Sequence, residues 1–368
     1  MRVTRASIAG RSRAVRTPSR PDVDGGRSED DAFGPVSPDG TEEELSRACV
    51  LLAEASSVVL LAHVNPDADA LGSALALGMA LENNGAQVTV AFADPATVPA
   101  SLRGLPGQRL IKPVDAVPAH PDLVVTLDVN SRERLGCLAW LLDTAGDSLV
   151  IDHHASNTRF GRNHLVEISA ESTTVLVAAI LDRLIMPVGS EIAANLYAGI
   201  ATDTVGFRFA SPGAHRLAAR LLDAGVNPDE LMRPITDLHP FGWLEMLSKV
   251  LGNAVLDSAA AAGRGLVSTV IALEAARGLR SEELDSVIDI LRTASEADVA
   301  AVLKQTGPAA WQVSLRSRPG CGGVTAASID VSAVATSLGG GGHIRAAGFG
   351  FLGTSDEAIS ALTAALEA

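Results

Sequence analysis

The stretch 57-SVVLLAHVNPDADALGSALALGMALEN-83 decides how this chain folds. It opens with a short apolar run, 57–62, rich in the β-branched and aliphatic residues that suit a strand buried on both faces. Asn65-Pro66-Asp67 then breaks the run as a turn and offers a helix N-cap. From 71 to 83 the text is helical and closes near Gly85. Strand, turn and helix of this kind form half of a βαβ unit, and the pattern continues outward. Strands are predicted over 87–92, 122–127 and 148–151, and helices over 173–184 and 191–201. Upstream, 42–55 reads as a helix, with Thr41 and Glu44 spaced as a capping box. Short apolar strands alternating with helices indicate a parallel sheet covered on both faces, which binds ligands at the carboxyl ends of its strands.

Helical text runs through 213–258, and a Gly/Ala-rich break at 259–265 leads into a second α/β pattern. Strands are expected over 266–272, 299–304 and 311–316. One helix is expected from a Ser281 cap to residue 292, and a last one over 356–366 behind a Ser355 cap. Both open with acids, which suit the positive end of the helix dipole. The fold class is therefore α/β, with a parallel-sheet N-terminal domain (41–225), a helical connector (226–262) and a smaller α/β C-terminal domain (263–368). Residues 1–40, rich in Arg, Ser, Pro, Gly and Asp without apolar periodicity, read as a disordered tail.

Composition narrows the function. Of 29 basic residues, six Arg lie in 1–20, which has no acid; the remainder sets 23 basic against 43 acidic residues. So acidic a body gains little from counterion release on a long polyanion. One Tyr, three Trp and eight Phe are too few for a base-stacking track. Long nucleic acid is not an expected partner, and neither is a membrane, since no apolar run reaches the roughly 18 residues of a span. Cys49, Cys137 and Cys321 are isolated, without disulfide or thiolate-zinc spacing, so a reducing cytoplasm is expected.

Chemistry-bearing residues gather where predicted elements end: His63, Asp67 and Asp69 after the first strand, Asp128 closing DLVVTLD, Asp152-His153-His154 closing SLVI, and Asp203 just past the helix 191–201. Singly, each has a plain explanation as a cap, a loop start or a chance pair. If the three strands share one parallel sheet, His63, Asp67, Asp69, Asp128, His153 and His154 converge in one cleft. Carboxylates and imidazoles without thiols suit Mn²⁺, Mg²⁺ or a similar ion. Crowded carboxylates repel one another unless cations neutralise them. Two divalent ions supply that charge and clamp the oxygens of a phosphoryl group.

HVNPDADALGSAL (63–75), LDVN (127–130), IDHHASN (151–157) and TDT (202–204) resemble the four successive motifs of the DHH phosphoesterase family. SLRSR (314–318) and GGGGHIRAAG (339–348) resemble its associated substrate-binding domain, DHHA1. The resemblance spans roughly 45–352, and six motifs in order make it specific. The arrangement is similar to the bacterial oligoribonuclease and 3′-phosphoadenosine-5′-phosphate phosphatase group, some of whose members cleave cyclic di-AMP or its linear product pApA. It implies one metal on His63, Asp67 and Asp128, and a second on Asp69, Asp128, His153 and Asp203, with Asp128 bridging. It implies that Asp152 orients an imidazole and that His154 meets a substrate phosphate oxygen. The implied cofactor is two Mn²⁺, with Mg²⁺ or Co²⁺ as alternatives, and the implied assembly is a homodimer. The fourth motif departs from the family pattern: Val205 follows Thr204 where a Gly is usual, and the Gly is displaced to Gly206.

In the C-terminal domain, Gly339–Gly342 reads as a flexible turn whose N–H groups can approach a phosphate closely. With Gly340, Gly341, Gly342 and His343, the pair Arg316 and Ser317 at a strand end is expected to hold the far nucleotide; Arg345 reads equally well as a surface residue. The expected function is hydrolysis of short oligoribonucleotides, 3′-phosphoadenosine-5′-phosphate or cyclic di-AMP/pApA to mononucleotides. Competing readings are an inorganic pyrophosphatase or exopolyphosphatase, and a non-catalytic nucleotide sensor. A processive exonuclease is disfavoured by the acidic body and scarce aromatics.

Overall fold

The computed structural model describes residues 40–318 and 328–367. The expectations for the N-terminal tail and Cys321 lie outside them. The N-terminal half runs α1 (Gly40–Glu54), β1 (Ser57–Leu61), α2 (Ala68–Asn83), β2 (Gln87–Ala91), β3 (Leu123–Leu127), the single turn α3 (Leu141–Thr144), β4 (Asp147–Asp152), β5 (Asn163–Val166), α4 (Thr173–Arg183), α5 (Ser190–Asp203), α6 (Pro212–Asp223) and α7 (Pro228–Thr236). Its sheet has the order β2-β1-β3-β4-β5, with every pairing parallel. This is the parallel sheet that the alternation of apolar runs and helices predicts.

Side-chain alternation divides the layers. Val59 and Leu61 of β1 join Val124, Leu135, Leu138 and Leu141 in a core on one face. On the other face Leu60 packs against α2 at Gly78. Helix α2 is buried on all sides from Ala68 to Leu81, as expected of a helix that is apolar all round. It fits between the sheet and α5 only because Gly72 is bare: a Cβ there would lie 2.7 Å from the Asn195 carbonyl.

The C-terminal half runs α8 (Phe241–Gly252), β6 (Val255–Asp257), the short turn α9 (Ala260–Gly263), β7 (Leu266–Ile271), α10 (Ser281–Leu291), β8 (Val299–Gly307), β9 (Ala310–Ser317), α11 (Val331–Ser337), β10 (Gly341–His343), β11 (Ala346–Leu352) and α12 (Ser355–Glu367). Its mixed sheet has the order β10-β11-β9-β8-β7-β6, parallel only between β7 and β8. Trp311, Val313 and Leu315 of β9 pack with Val331, Ala335 and Leu362 on one face. On the other, Ala300 and Val302 of β8 meet Val287 and Leu291 of α10 and Met246 and Val250 of α8. The stretch 226–262 is thus shared, since α8 and β6 complete this second layer.

Several local expectations need correction. Thr41 and Glu44 are no capping box: Thr41 donates to Glu167 (2.9 Å), while Glu44 accepts from the Val166 N–H (3.0 Å) and pairs with Arg159. Ser355 is the first residue of its helix; Thr354 and Glu357 cap it reciprocally, at 2.8 and 3.2 Å. Ser281 likewise starts α10, and Glu283 reaches back to the Arg280 N–H at 2.7 Å. The supposed flexible glycine turn includes strand β10. A Cβ at Gly340 would lie 2.1 Å from the Gly348 carbonyl, and one at Gly342, which has φ +144°, would lie 2.5 Å from that of Ala346. Those glycines answer to close backbone approach, not to mobility.

Candidate active site

Parallel register brings the critical residues together. Leu61 pairs with Thr126 and Leu127 with Ile151, so β1, β3 and β4 end at one level. His63 lies two residues past β1, Asp128 directly past β3, and Asp152 closes β4 with His153 and His154 behind it. Asn65 (φ +53°) and Asp128 (φ +62°) adopt left-handed backbone at this edge, a conformation that Asn and Asp tolerate better than most residues and that recurs at active sites.

Two groups form. In the first, His63 Nε2 lies 3.6 Å from Asp67 Oδ2 and 3.5 Å from Asp128 Oδ2. The other ring nitrogen of His63 is held by the Val64 carbonyl at 2.8 Å, which turns Nε2 inward. Asp67 does double duty: Oδ1 caps α2 through the N–H groups of Asp69 and Ala70, and Oδ2 faces His63. In the second group, His153 Nε2 lies 3.2 Å from Asp203 Oδ2, 3.4 Å from Asp128 Oδ1 and 3.9 Å from Asp69 Oδ2. Its Nδ1 is held by the Ala170 carbonyl at 3.1 Å. Asp128 therefore turns one oxygen to each group. Asp203 sits on the last residue of α5 instead of beyond it.

Asp69 is completely buried against the start of α4, accepting from the N–H groups of Thr173 (2.6 Å) and Thr174 (2.9 Å). Helix α5 approaches so closely that a Cβ on Gly199 would lie 2.6 Å from Asp69 Oδ1. Thr173 also donates its hydroxyl to Asp128 Oδ1 at 3.0 Å. Sequence reasoning passed over this threonine, because a hydroxyl at a helix start carries no signal of the distant carboxylates it meets. Asn157, inside a quoted motif but given no task, donates to Asp152 at 2.6 Å.

The electrostatics describe an anionic cluster in need of cations. Burial disfavours charge on Asp128, but the imidazoles of His154, His153 and His63 outweigh it and hold this carboxyl well below the usual range. Burial, with the like charges of Asp203 and Asp128, pushes Asp69 well above that range despite its backbone donors. Burial raises Asp203 to about 6 against the pull of His153. Burial favours neutral His63, yet its bonds to Asp128 and Asp67 raise it to about 9. Protons on the imidazoles thus partly offset the carboxylates. The buried His153 Nε2 makes no well-formed hydrogen bond although three carboxylates face it. An orphaned imidazole nitrogen among hard oxygen donors, without thiols, fits a divalent cation. Within each group, His63/Asp67/Asp128 and Asp69/His153/Asp203, donor atoms lie within 4.8 Å of one another.

Asp152 bonds the imidazole of His154, not that of His153: its Oδ1 meets the His154 Nδ1 at 2.7 Å. The His154 ring stacks on His343 from the C-terminal half, with centroids 4.3 Å apart and planes at 21°. Burial, together with the charges of His154 and His153, pushes His343 down to about 3, so it is neutral near pH 7. Arg316 and His343 are both paired with Ala346 and so share a sheet face with it; the Arg316 field also reaches His343. The next residue, Ser317, takes the opposite face, and its hydroxyl donates to the Ile344 carbonyl at 3.3 Å, outside this group. Arg345 is exposed.

A cleft of about 1480 Å³ opens in front of this centre. His63, Asp67, Asn130 and Asp203 line one wall; Gln312, Gly340, Gly341 and Gly348 line the other. No helix among the described residues is long and apolar enough to cross a membrane.

The family model "DHH family, N-terminal domain" matches residues 57–200, and "DHHA1 domain" matches 263–368. The chain is 34% identical over 302 residues to the bifunctional oligoribonuclease and PAP phosphatase NrnA of Thermus thermophilus, covering 81% of this chain and 85% of that one. It is 26% identical over 314 residues to the cyclic-di-AMP phosphodiesterase GdpP of Geobacillus thermodenitrificans, covering 80% of this chain but 44% of that one. An exopolyphosphatase-related protein of Bacteroides fragilis has the same fold, with a TM-score of 0.75 at 23% identity over 89% of this chain and 96% of that one.

Proposed function

Since this chain belongs to the DHH family and is a hydrolase of phosphate esters, we propose that it cleaves short oligoribonucleotides, 3′-phosphoadenosine-5′-phosphate or pApA to mononucleotides. The observation that carries the reading is Asp128, with one oxygen toward each of two His/Asp groups, beside His154 on which His343 of the C-terminal half stacks. The similarity to an NrnA that covers most of both chains supports a nucleotide substrate.

In this reading His63, Asp67 and Asp128 hold one divalent cation, and Asp69, Asp128, His153 and Asp203 hold another, with Mn²⁺ as the proposed metal. When bound, the cations supply Lewis acidity that activates water and neutralises the phosphoryl oxygens. The protein's own residues do the rest. Asp152 fixes the His154 ring, which presents Nε2 to a phosphate oxygen. His343, neutral and stacked on His154, flanks the same oxygen, and Arg316 supplies a fixed positive charge beside it. The Gly340–Gly341 backbone borders the far nucleotide. We further propose a cytoplasmic homodimer, which light scattering tests directly.

The deciding experiment assays the Mn²⁺-loaded protein on pApA, 3′-phosphoadenosine-5′-phosphate, cyclic di-AMP and pyrophosphate. Turnover of a nucleotide is expected. Asp128→Ala should reduce it at least about a thousandfold while nucleotide binding persists. Turnover of pyrophosphate alone would replace this reading with a pyrophosphatase, and no nucleotide turnover at all would favour a sensor.

A further inference from the structure

Four basic residues line the cleft among the described residues: Arg103, Arg134, Arg280 and Lys304. Two are paired with carboxylates, Arg280 with Glu283 and Lys304 with Asp285. A third, Arg103, has only a backbone carbonyl as partner among the described residues, that of Val98 at 3.3 Å. Arg134 has no carboxylate partner among the described residues, and a guanidinium kept without one in a cleft is available to an anionic ligand.

Its backbone is held firmly. The Arg134 carbonyl accepts from the Val64 N–H at 2.8 Å, next to His63, and its own N–H donates to Ser131. The adjacent Leu135 is buried in the core. Two residues on, Gly136 has φ +56° and sits so tightly that a Cβ would come within 2.9 Å of Ala93. A fixed backbone places the root of the side chain before the ligand arrives, so only its rotamers remain to be ordered on binding.

Its location separates it from the other anion-binding residues. The bond from the Val64 N–H to the Arg134 carbonyl places the residue beside His63 of the first His/Asp group. Arg316 shares a sheet face with His343, which stacks on His154. The two arginines thus come from different halves of the chain, Arg134 beside His63 and Arg316 on the sheet face of His343. A substrate whose reacting phosphate lies at Asp128 meets Arg134 with whatever follows on the side away from His343.

We propose that Arg134 forms a second anion subsite, which takes the terminal, non-reacting phosphate of a short 5′-phosphorylated oligonucleotide. The subsite rests on the proposed hydrolase reading for its orientation. It makes the enzyme prefer pApA over ApA, which has the same bases and scissile linkage but no terminal phosphate.

The test compares wild type, Arg134→Gln and Arg134→Lys in two assays: hydrolysis of pApA and ApA with Mn²⁺, and calorimetric binding of both with Ca²⁺ to separate binding from turnover. Losing a charge-assisted bidentate contact should lower the pApA/ApA ratio of kcat/KM about tenfold or more in Arg134→Gln, mainly through KM. Arg134→Lys should recover part of it. Equal losses on both substrates would overturn the subsite and leave the hydrolase reading intact. Arg134-dependent pApA binding without any turnover would sink the hydrolase reading and keep the subsite. Wild-type binding that does not distinguish pApA from ApA would overturn the subsite whatever the turnover.

Discussion

At the scale of single residues, the candidate site is held together by second partners as much as by the proposed metal ligands. Asp152 accepts from the His153 backbone, the His154 ring and Asn157, so its carboxylate is the pin on which His154 turns. Asp152→Asn should leave KM nearly unchanged and lower kcat about ten- to a hundredfold. It should also move the limb of the pH–rate profile that reports His154 toward lower pH, since Asp152 helps Asp128 raise that imidazole against burial. An unshifted profile would reduce Asp152 to a packing residue. In the proposed metal site, protons and metal would compete for the same atoms. His63 is raised to about 9, so at neutral pH it must release a proton before its Nε2 can bind a cation. Each pH unit lost between about 9 and 6 should weaken Mn²⁺ binding about tenfold for this proton alone. Asp203, at about 6, adds a further proton below that. Titration calorimetry in buffers of different ionisation enthalpy measures the release; an affinity independent of pH would remove the first group from the metal site.

Elements matter through where they end. Helix α5 delivers Asp203 on its last residue, and the chain leaves it through Val205, Gly206 and Phe207, all left-handed. The Val205 side chain is 38% exposed, and its φ of +53° is a conformation β-branched residues avoid. Here the structure gives physical content to the departure from the family pattern: the turn keeps the backbone of a glycine without having one. Val205→Gly should relieve strain worth more than the glycine's added unfolded-state entropy, a net gain of about 1 kcal/mol. Thermal unfolding should show Tm higher by about 2 °C. A lower Tm would mean that Val205 packs against something that matters more than its backbone. Helix α4 shows the reverse case, in which an ordinary start, Thr173 and Thr174, gains importance by receiving Asp69.

For the molecule as a whole, the cleft sets what can react. Its volume of about 1480 Å³ exceeds the several hundred Å³ common for one small ligand and suits a dinucleotide. Among the described residues no Phe, Tyr or Trp lines it, so successive bases of a longer strand find no stacking platform there. The acidic body adds no electrostatic track beyond the cleft. Activity on a dinucleotide should therefore exceed that on a single strand of about 20 nucleotides by at least about tenfold in kcat/KM. Comparable rates on the two would contradict the small-substrate reading.

The sequence by itself determined the parallel sheet, the second α/β layer and the residues worth watching, because strand runs of period and length leave few alternatives and each motif follows an element end. The run 57–62 and the DHH triplet at 152–154 were legible for that reason. Short elements were not: β5, β6 and β10 have three or four residues each, too few for a pattern, and the glycines before His343 look the same whether loose or strand-paired. Capping was misread by one residue at Ser281 and Ser355, where a neighbouring residue competes for the same role. Only the tertiary structure decided that Asp128 turns an oxygen to each group, that Asp152 serves His154, that Ser317 points away and that Arg134 has no carboxylate partner in the cleft among the described residues. These are relations between side chains from distant segments. They depend on register and rotamer, which arise only when the sheets pack.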